Sequence, residues 1–320
     1  MGTYVMRRLI WIPVTVILVS MLVFLLVRFI PGTIVDLIVA QMQPTAGNTV
    51  IDRHAIEVTL GLDKPVYVQY AKWVTNIVVH GSLGKSLNGN QDIAQEIIHS
   101  LPVTFELGIM ALIIGVLISI PIGVYAAIRQ DSIPDYILRS AAIILISVPA
   151  FWLGTMIMIY PSLWWDWSPP MVLIPFAKDP VGNLGMFLLP ALVLGTGMTG
   201  SSMRMTRTMM LEVLRQDYIR TAWSKGLNER IIVIRHALKN ALIPVITIIG
   251  MQLPILVGGS VIIEQIFVLP GIGRLLLDAL LARDYPIISG ITLVLSVFVV
   301  FANLAVDLAY GWLDPRVHYQ

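Results

Sequence analysis

The chain has 320 residues, of which 57% are hydrophobic and only 12% charged, against about a quarter charged in an ordinary soluble domain. That shortage excludes a typical soluble enzyme and leaves apolar length for several crossings of a hydrocarbon layer about 30 Å thick. With 21 basic and 19 acidic residues the net charge is +2, so nothing global marks the chain for nucleic acid; zero cysteines exclude disulfides, a thiol nucleophile and thiolate-bound metal.

The first apolar run, Leu9–Ile30, follows Arg7-Arg8 and ends at Pro31-Gly32. A cleavable leader has an apolar core of about 7–15 residues, so this longer run is expected to stay as a helix. Residues 31–100 then form an extracytoplasmic insertion. Val66, Tyr70, Trp73, Val74 and Ile77 recur at helical spacing after Pro65, and a connection of that length suits a binding surface for an external partner. Gly84-Lys85-Ser86 matches the tail of a phosphate loop, but the glycine required five positions earlier is Val79. Without strand-then-helix context a nucleotide site is rejected.

Five further spans are expected at 101–128, 136–160, 186–203, 241–263 and 287–310. Pro190, Gly195, Gly197 and Gly200 interrupt the fourth; membrane helices tolerate such residues, and small ones admit a neighbouring helix. The chain thus divides into 1–30, the insertion 31–100 and a helical core 101–320.

Between the fourth and fifth spans, residues 204–240 carry 8 of the 21 basic residues. Leu211, Leu214, Tyr218, Ile219 and Ala222 share one helical face. Gly226 is placed to close that helix in a left-handed conformation, and Asn228 to cap the next, which carries Ile231, Ile234, Leu238 and Leu242. The result is a helix-glycine-helix elbow, either an interfacial helix meeting anionic lipid or a docking element for a cytoplasmic partner.

Pro270-Gly271-Ile272-Gly273-Arg274-Leu275 joins the last two spans, as a tight loop whose glycines supply positive φ or as a short outer gate. Arg274 and Asp278 stand at i, i+4. Arg28, Glu106, Arg139, Glu264 and Asp307 lie in or near spans, where snorkelling and interhelical pairing account for them; no substrate residue is assigned. His54, His80, His99, His236 and His318 never fall at metal-ligand spacing. A cytoplasmic N-terminus places 13 basic residues inside against 7 outside, so both termini are expected in the cytoplasm.

Asp217-Tyr218-Ile219-Arg220-Thr221-Ala222-Trp223-Ser224-Lys225-Gly226-Leu227, followed by His236-Ala237-Leu238-Lys239-Asn240-Ala241-Leu242-Ile243-Pro244, resembles the EAA loop of binding-protein-dependent ABC importer permeases. Arg28 to Gly32, Gly61-Leu62-Asp63, Gly81 to Gly84, Leu101-Pro102, Pro270 to Leu275, Ala282 to Pro286 and Asp314-Pro315-Arg316 extend the likeness nearly end to end, to the first permease subunit of the dipeptide/oligopeptide/nickel branch. Arg220-Thr221-Ala222 stands where the general loop opens Glu-Ala-Ala, and Lys239 where it has proline, so no role of that glutamate is carried over.

The resemblance implies an all-α, six-helix type I importer domain in the cytoplasmic membrane. It implies a second permease subunit, two ATPase subunits (or one used twice) that hold ATP and Mg, and an extracytoplasmic binding protein; the chain itself would hold no cofactor and hydrolyse nothing. Peptides are the implied cargo, nickel chelates or oligosaccharides the alternatives. Coupling to the ATPases would fall to Asp217, Tyr218, Arg220, Thr221, Ala222, Lys225, Gly226, Leu227 and Arg230, with Ala222 and Gly226 admitting close approach and Arg220, Lys225 and Arg230 giving charge at the rim. A secondary transporter would show internal repeats and midplane coupling charges; a membrane-embedded enzyme would show His-Glu-x-x-His, paired carboxylates or Gly-x-Ser-x-Gly. Neither pattern is present.

Overall fold

A computed structural model of the chain describes residues 2–28, 35, 39, 52–87, 89–170 and 172–313. The Phe29–Gly32 and Asp314–Arg316 motifs and His318 lie outside these, as do the side chains of Arg7, Arg8, Arg28 and Asp307. The regular structure of the described residues is helical, with one isolated bridge, Lys85 to Asp92. Among the described residues, five helices are long and apolar enough to cross a membrane, or six if one bent pair counts as a single span. Contacts divide the chain into two compact units: Pro102–Arg274 with the two chain ends, and Arg8–Leu101 with Leu275–Val300.

In the second unit α1 (Gly2–Arg28) supplies the first span. α2 (Arg53–Leu60) starts at Asp52, whose carboxylate accepts from the His54 and Ala55 amides, and α3 (Val66–His80) starts after Pro65. The expected periodicity of α3 holds for Tyr70, Trp73, Val74 and Ile77, which are half-buried, but Val66 is exposed. Phe24 of α1 explains the buried side: its ring lies 5.3 Å from Tyr70 and 5.6 Å from Trp73, and the Tyr70 hydroxyl is 2.8 Å from Ser20 Oγ.

α4 (Ile93–Ile128) begins where Asp92 accepts from the Ala94 and Gln95 amides. Its 36 residues would extend about 54 Å, well beyond the expected 101–128. The single span expected at 136–160 is instead two helices, α5 (Ile133–Ser147) and α6 (Ala150–Trp165), bent by 93°. Pro149 is the cause: the residue before a proline is driven out of the helical region, and Val148 sits at φ −80, ψ 122.

α7 (Pro180–Leu214) is capped by Asp179, with Pro180 in the first turn where its missing amide costs nothing. It runs through the fourth expected span and into the elbow region, so Leu211 and Leu214 belong to α7 rather than to the helix of Tyr218 and Ala222. Its glycines do admit neighbours. A Cβ at Gly195 would lie 2.9 Å from the Ala111 carbonyl of α4, and one at Gly200 2.7 Å from the Ala142 carbonyl of α5.

α8 (Asp217–Ser224) precedes α9 (Glu229–Met251), and α10 (Leu253–Ile266) follows after a joint at Gln252. The expected span 241–263 therefore straddles two helices. α11 (Ile272–Leu281) and α12 (Tyr285–Leu313) complete the chain. The main core of the first unit joins Val103, Leu107 and Ala111 of α4 to Phe187 and Ala191 of α7 and Ile263 of α10.

Candidate functional site: the elbow and the buried turns

The elbow rests on an apolar cluster. Ile219 and Ala222 of α8 are buried with Met210 of α7, Ala127 of α4, and Ile232, Val233, Ala237 and Ala241 of α9. The expected inner face of α9 is corrected: Ile231 and Ile234 are exposed, whereas Ile232, Val233, Ala237, Ala241 and Val245 are buried. Residues 232–238 form a π-helical stretch, which widens the repeat so that the buried positions step by five before returning to four.

Gly226 ends the elbow helix at φ +72, and the Asn228 side chain accepts from the Arg230 amide, as the sequence indicates. Tyr218 ties α8 to α9, its hydroxyl 2.8 Å from Asn240 Nδ2 and 3.4 Å from the His236 carbonyl. Ala222, expected to admit a partner, faces the buried cluster instead. The outward surface is Asp217, Tyr218, Arg220, Thr221, Trp223, Lys225, Gly226 and Arg230, all exposed, with Leu227 half-buried. The Arg220–Asp217 contact of 3.5 Å is open to water and adds little stability. Its charges remain available to a partner.

The turn between α10 and α11 is built differently from expectation. Neither Gly271 nor Gly273 has positive φ; Val268 does, at +57. The two glycines and Ile272 are buried, while Pro270 is exposed. A Cβ at Gly271 would fall on the Glu264 carboxylate, and one at Gly273 would lie 2.5 Å from Val261 Cα. Close approach, not backbone freedom, is the requirement.

Glu264 is fully buried and organises this turn. Thr104 Oγ1 donates to its Oε1 at 2.7 Å, and the Arg274 amide donates to Oε2 at 3.0 Å. Thr104 Oγ1 in turn accepts from the Ile272 amide at 2.8 Å, and Arg274 Nη1 donates to the Val268 carbonyl at 3.0 Å. Interhelical pairing thus accounts for Glu264, as the sequence suggests. Glu106 is half-buried, and Arg139 is exposed with its guanidinium 5.7 Å over the Tyr136 ring.

In the second unit the Gly84-Lys85-Ser86 loop cradles a carboxylate of the chain itself. Ser86 Oγ donates to Asp284 Oδ2 at 2.6 Å and the Leu87 amide donates to the same oxygen at 2.9 Å. Asp284 is buried and its Oδ1 lies 3.4 Å from the Ile287 amide in the first turn of α12. Ser86→Ala removes one donor from this buried acceptor and is expected to cost about 1–2 kcal/mol. Faster limited proteolysis across 81–92 would report it. Beside the loop a cleft of about 700 Å³ is lined by Phe24, Lys64, Lys72, Trp73, Lys85 and Tyr285.

Two family descriptions cover most of the chain: "Binding-protein-dependent transport system inner membrane component" over residues 119–319, and the N-terminal part of the same membrane component over 1–108. A Brucella suis biovar 1 (strain 1330) protein, provisionally named a peptide transport system permease protein, is 44% identical, the match covering 96% of each chain. The dipeptide transport system permease protein DppB of Escherichia coli K12 is 37% identical over 99% of each, and the oligopeptide transport system permease protein AppB of Bacillus subtilis 168 is 37% identical over the full length of both. The inward-facing methionine ABC transporter MetNI shares the fold, with TM-score 0.55 at 16% identity over 69% of this chain and 97% of that one. This chain therefore belongs to the family of inner-membrane components of binding-protein-dependent transport systems, a multi-pass permease subunit of an ABC importer.

Proposed function

We propose that the chain imports peptides, as one of two permease subunits driven by ATPase subunits that grip the elbow. The carrying observation is the elbow itself. A short helix fixed by Ile219, Ala222 and the Tyr218–Asn240 tie presents an exposed face of Arg220, Thr221, Trp223 and Lys225. A rigidly mounted surface of this kind can carry force into the bundle. ATP and Mg belong to the partners, and closure of the two ATPases would draw two elbows together and turn an inward-open passage outward. ATP drives that switch only through contacts that differ between the two states.

The excess of basic residues around 204–240 supports a cytoplasmic elbow and cytoplasmic termini, with the insertion 31–100 on the outer side to meet a binding protein. Peptide cargo is supported by the names of the relatives. Copurification with a second permease and an ATPase, and ATP-dependent uptake of labelled dipeptide by proteoliposomes holding the complex and its binding protein, are expected. A chain that transports alone would contradict the reading.

A further inference from the structure

Asp135 is fully buried in the first turn of α5, and Arg207 of α7 holds it with two parallel bonds: Nε to Oδ1 at 2.7 Å and Nη2 to Oδ2 at 2.6 Å. The Asp131 amide adds a third at 3.0 Å. Both residues lie in one compact unit. A buried ion pair is seldom more stabilising than well-packed apolar residues, because desolvation offsets most of the attraction, whereas loss of one partner is severe. Stability alone is therefore a weak reason for placing one here, and its location suggests a stronger one.

Arg207 lies two turns before α7 ends at Leu214, and α8 begins at Asp217. Asp135 opens the helix that bends by 93° into α6. Around them the helices approach closely. A Cβ at Gly200 of α7 would lie 2.7 Å from both the Ala142 carbonyl and Ile146 Cγ1 of α5, and one at Gly123 of α4 would lie 2.7 Å from Thr206 Cβ. The small-residue contacts fix separation along the helices. The bidentate fork fixes rotation and register, which apolar packing specifies poorly.

We propose that Asp135 and Arg207 are a positioning pair that makes α5 and the elbow-bearing end of α7 move as one body, so that displacement of the elbow reaches the bent α5–α6 span. The proposal rests on the elbow being the point where the ATPases act. Removing the pair uncouples hydrolysis from transport without removing the ATPase from the complex.

The test uses the whole reconstituted complex with its binding protein. Asp135→Asn and Arg207→Gln are expected to assemble and keep hydrolysing ATP, while dipeptide moved per ATP falls about tenfold, within the usual range of coupling between sites. Arg207→Lys keeps the charge but loses the fork, and should fall between. The exchanged pair, Asp135→Arg with Arg207→Asp, should recover more transport per ATP than either single charge reversal. Transport per ATP unchanged in the single variants, or uptake falling only in proportion to assembled complex, would overturn the proposal.

Should the variants fail to insert, the native pair remains testable because the chain has no cysteine. Spin labels on Ile137→Cys of α5 and Thr208→Cys of α7, both exposed, should keep their separation to within about 2 Å between nucleotide-free and ATP-trapped complexes, as a rigid body requires. A larger change would overturn the proposal. Failure of the elbow reading is separately visible, as lack of cross-linking from the elbow to the ATPase.

Discussion

Glu264→Ala is expected to lower the stability of the purified permease complex by about 2–4 kcal/mol, because it leaves two donors without their acceptor and each such loss costs about 1–3 kcal/mol. The carboxylate takes the Thr104 hydroxyl on one oxygen and the Arg274 amide on the other. Alanine would leave both donors buried without an acceptor, and Thr104 is also the acceptor of the Ile272 amide. The whole turn from Val268 to Arg274 therefore loses its anchor. Glu264→Gln keeps one acceptor for Thr104 but turns an N–H toward the Arg274 amide, so a smaller loss of about 1–2 kcal/mol is expected. Thermal unfolding followed by size-exclusion chromatography separates these outcomes; equal stability of both variants and the parent would contradict the role given to Glu264.

Gly226→Val is expected to reduce transport per ATP by about tenfold or more, a loss typical of broken coupling between sites. At φ +72 a β-branched residue is strained by about 1–2 kcal/mol, and it relieves that strain by reopening the end of α8, where the Leu227 amide reaches back to the Ala222 carbonyl. Asparagine tolerates the left-handed region, so Gly226→Asn should stay close to the parent if conformation is what matters. Nothing lies within 4 Å of a Cβ built at Gly226, which leaves space for a partner. Gly226→Trp therefore adds bulk as well as strain and should uncouple most strongly. Binding-protein-stimulated ATP hydrolysis measured alongside uptake distinguishes the three variants. Unchanged coupling in all of them would remove Gly226 from the mechanism.

Local signals were readable where the cause was local. The left-handed glycine at 226, the Asn228 cap and the helix after Pro65 each depend on residues a few positions apart, and each is found. Pro149 gave notice of the bend between α5 and α6, but a hydropathy window averages over such a break and returns one span. The π stretch at 232–238 has no comparable local mark, so a 3.6-residue repeat assigns the wrong inner face to α9.

The sequence allows interhelical pairing for Glu264, but the partners of the buried polar ties were not legible. Asp135 finds Arg207 72 residues away, Glu264 finds Thr104 at 160 and Asp284 finds Ser86 at 198. Each carboxylate lies near the end of a helix, with no local mark of which distant residue it meets. Gly271 and Gly273 were misread for the same reason, since what they avoid is a carboxylate and a backbone seven to twelve residues earlier in the chain. The elbow, by contrast, is contiguous in sequence and α8 is amphipathic, which is why Ile219 and Ala222 could be placed on one apolar face; Tyr218, expected beside them, is exposed, and Ala222 is too buried to admit a partner.

The central claim is that the outward face of the elbow meets an ATPase. A single cysteine placed at Thr221 or Lys225 in this cysteine-free chain should cross-link to an ATPase subunit in the assembled complex, with a yield that changes between nucleotide-free and ATP-trapped states. A cysteine at Tyr67, 73% exposed on α3, should not. Cross-linking to the ATPase from Tyr67 but not from Thr221 or Lys225 would contradict the account.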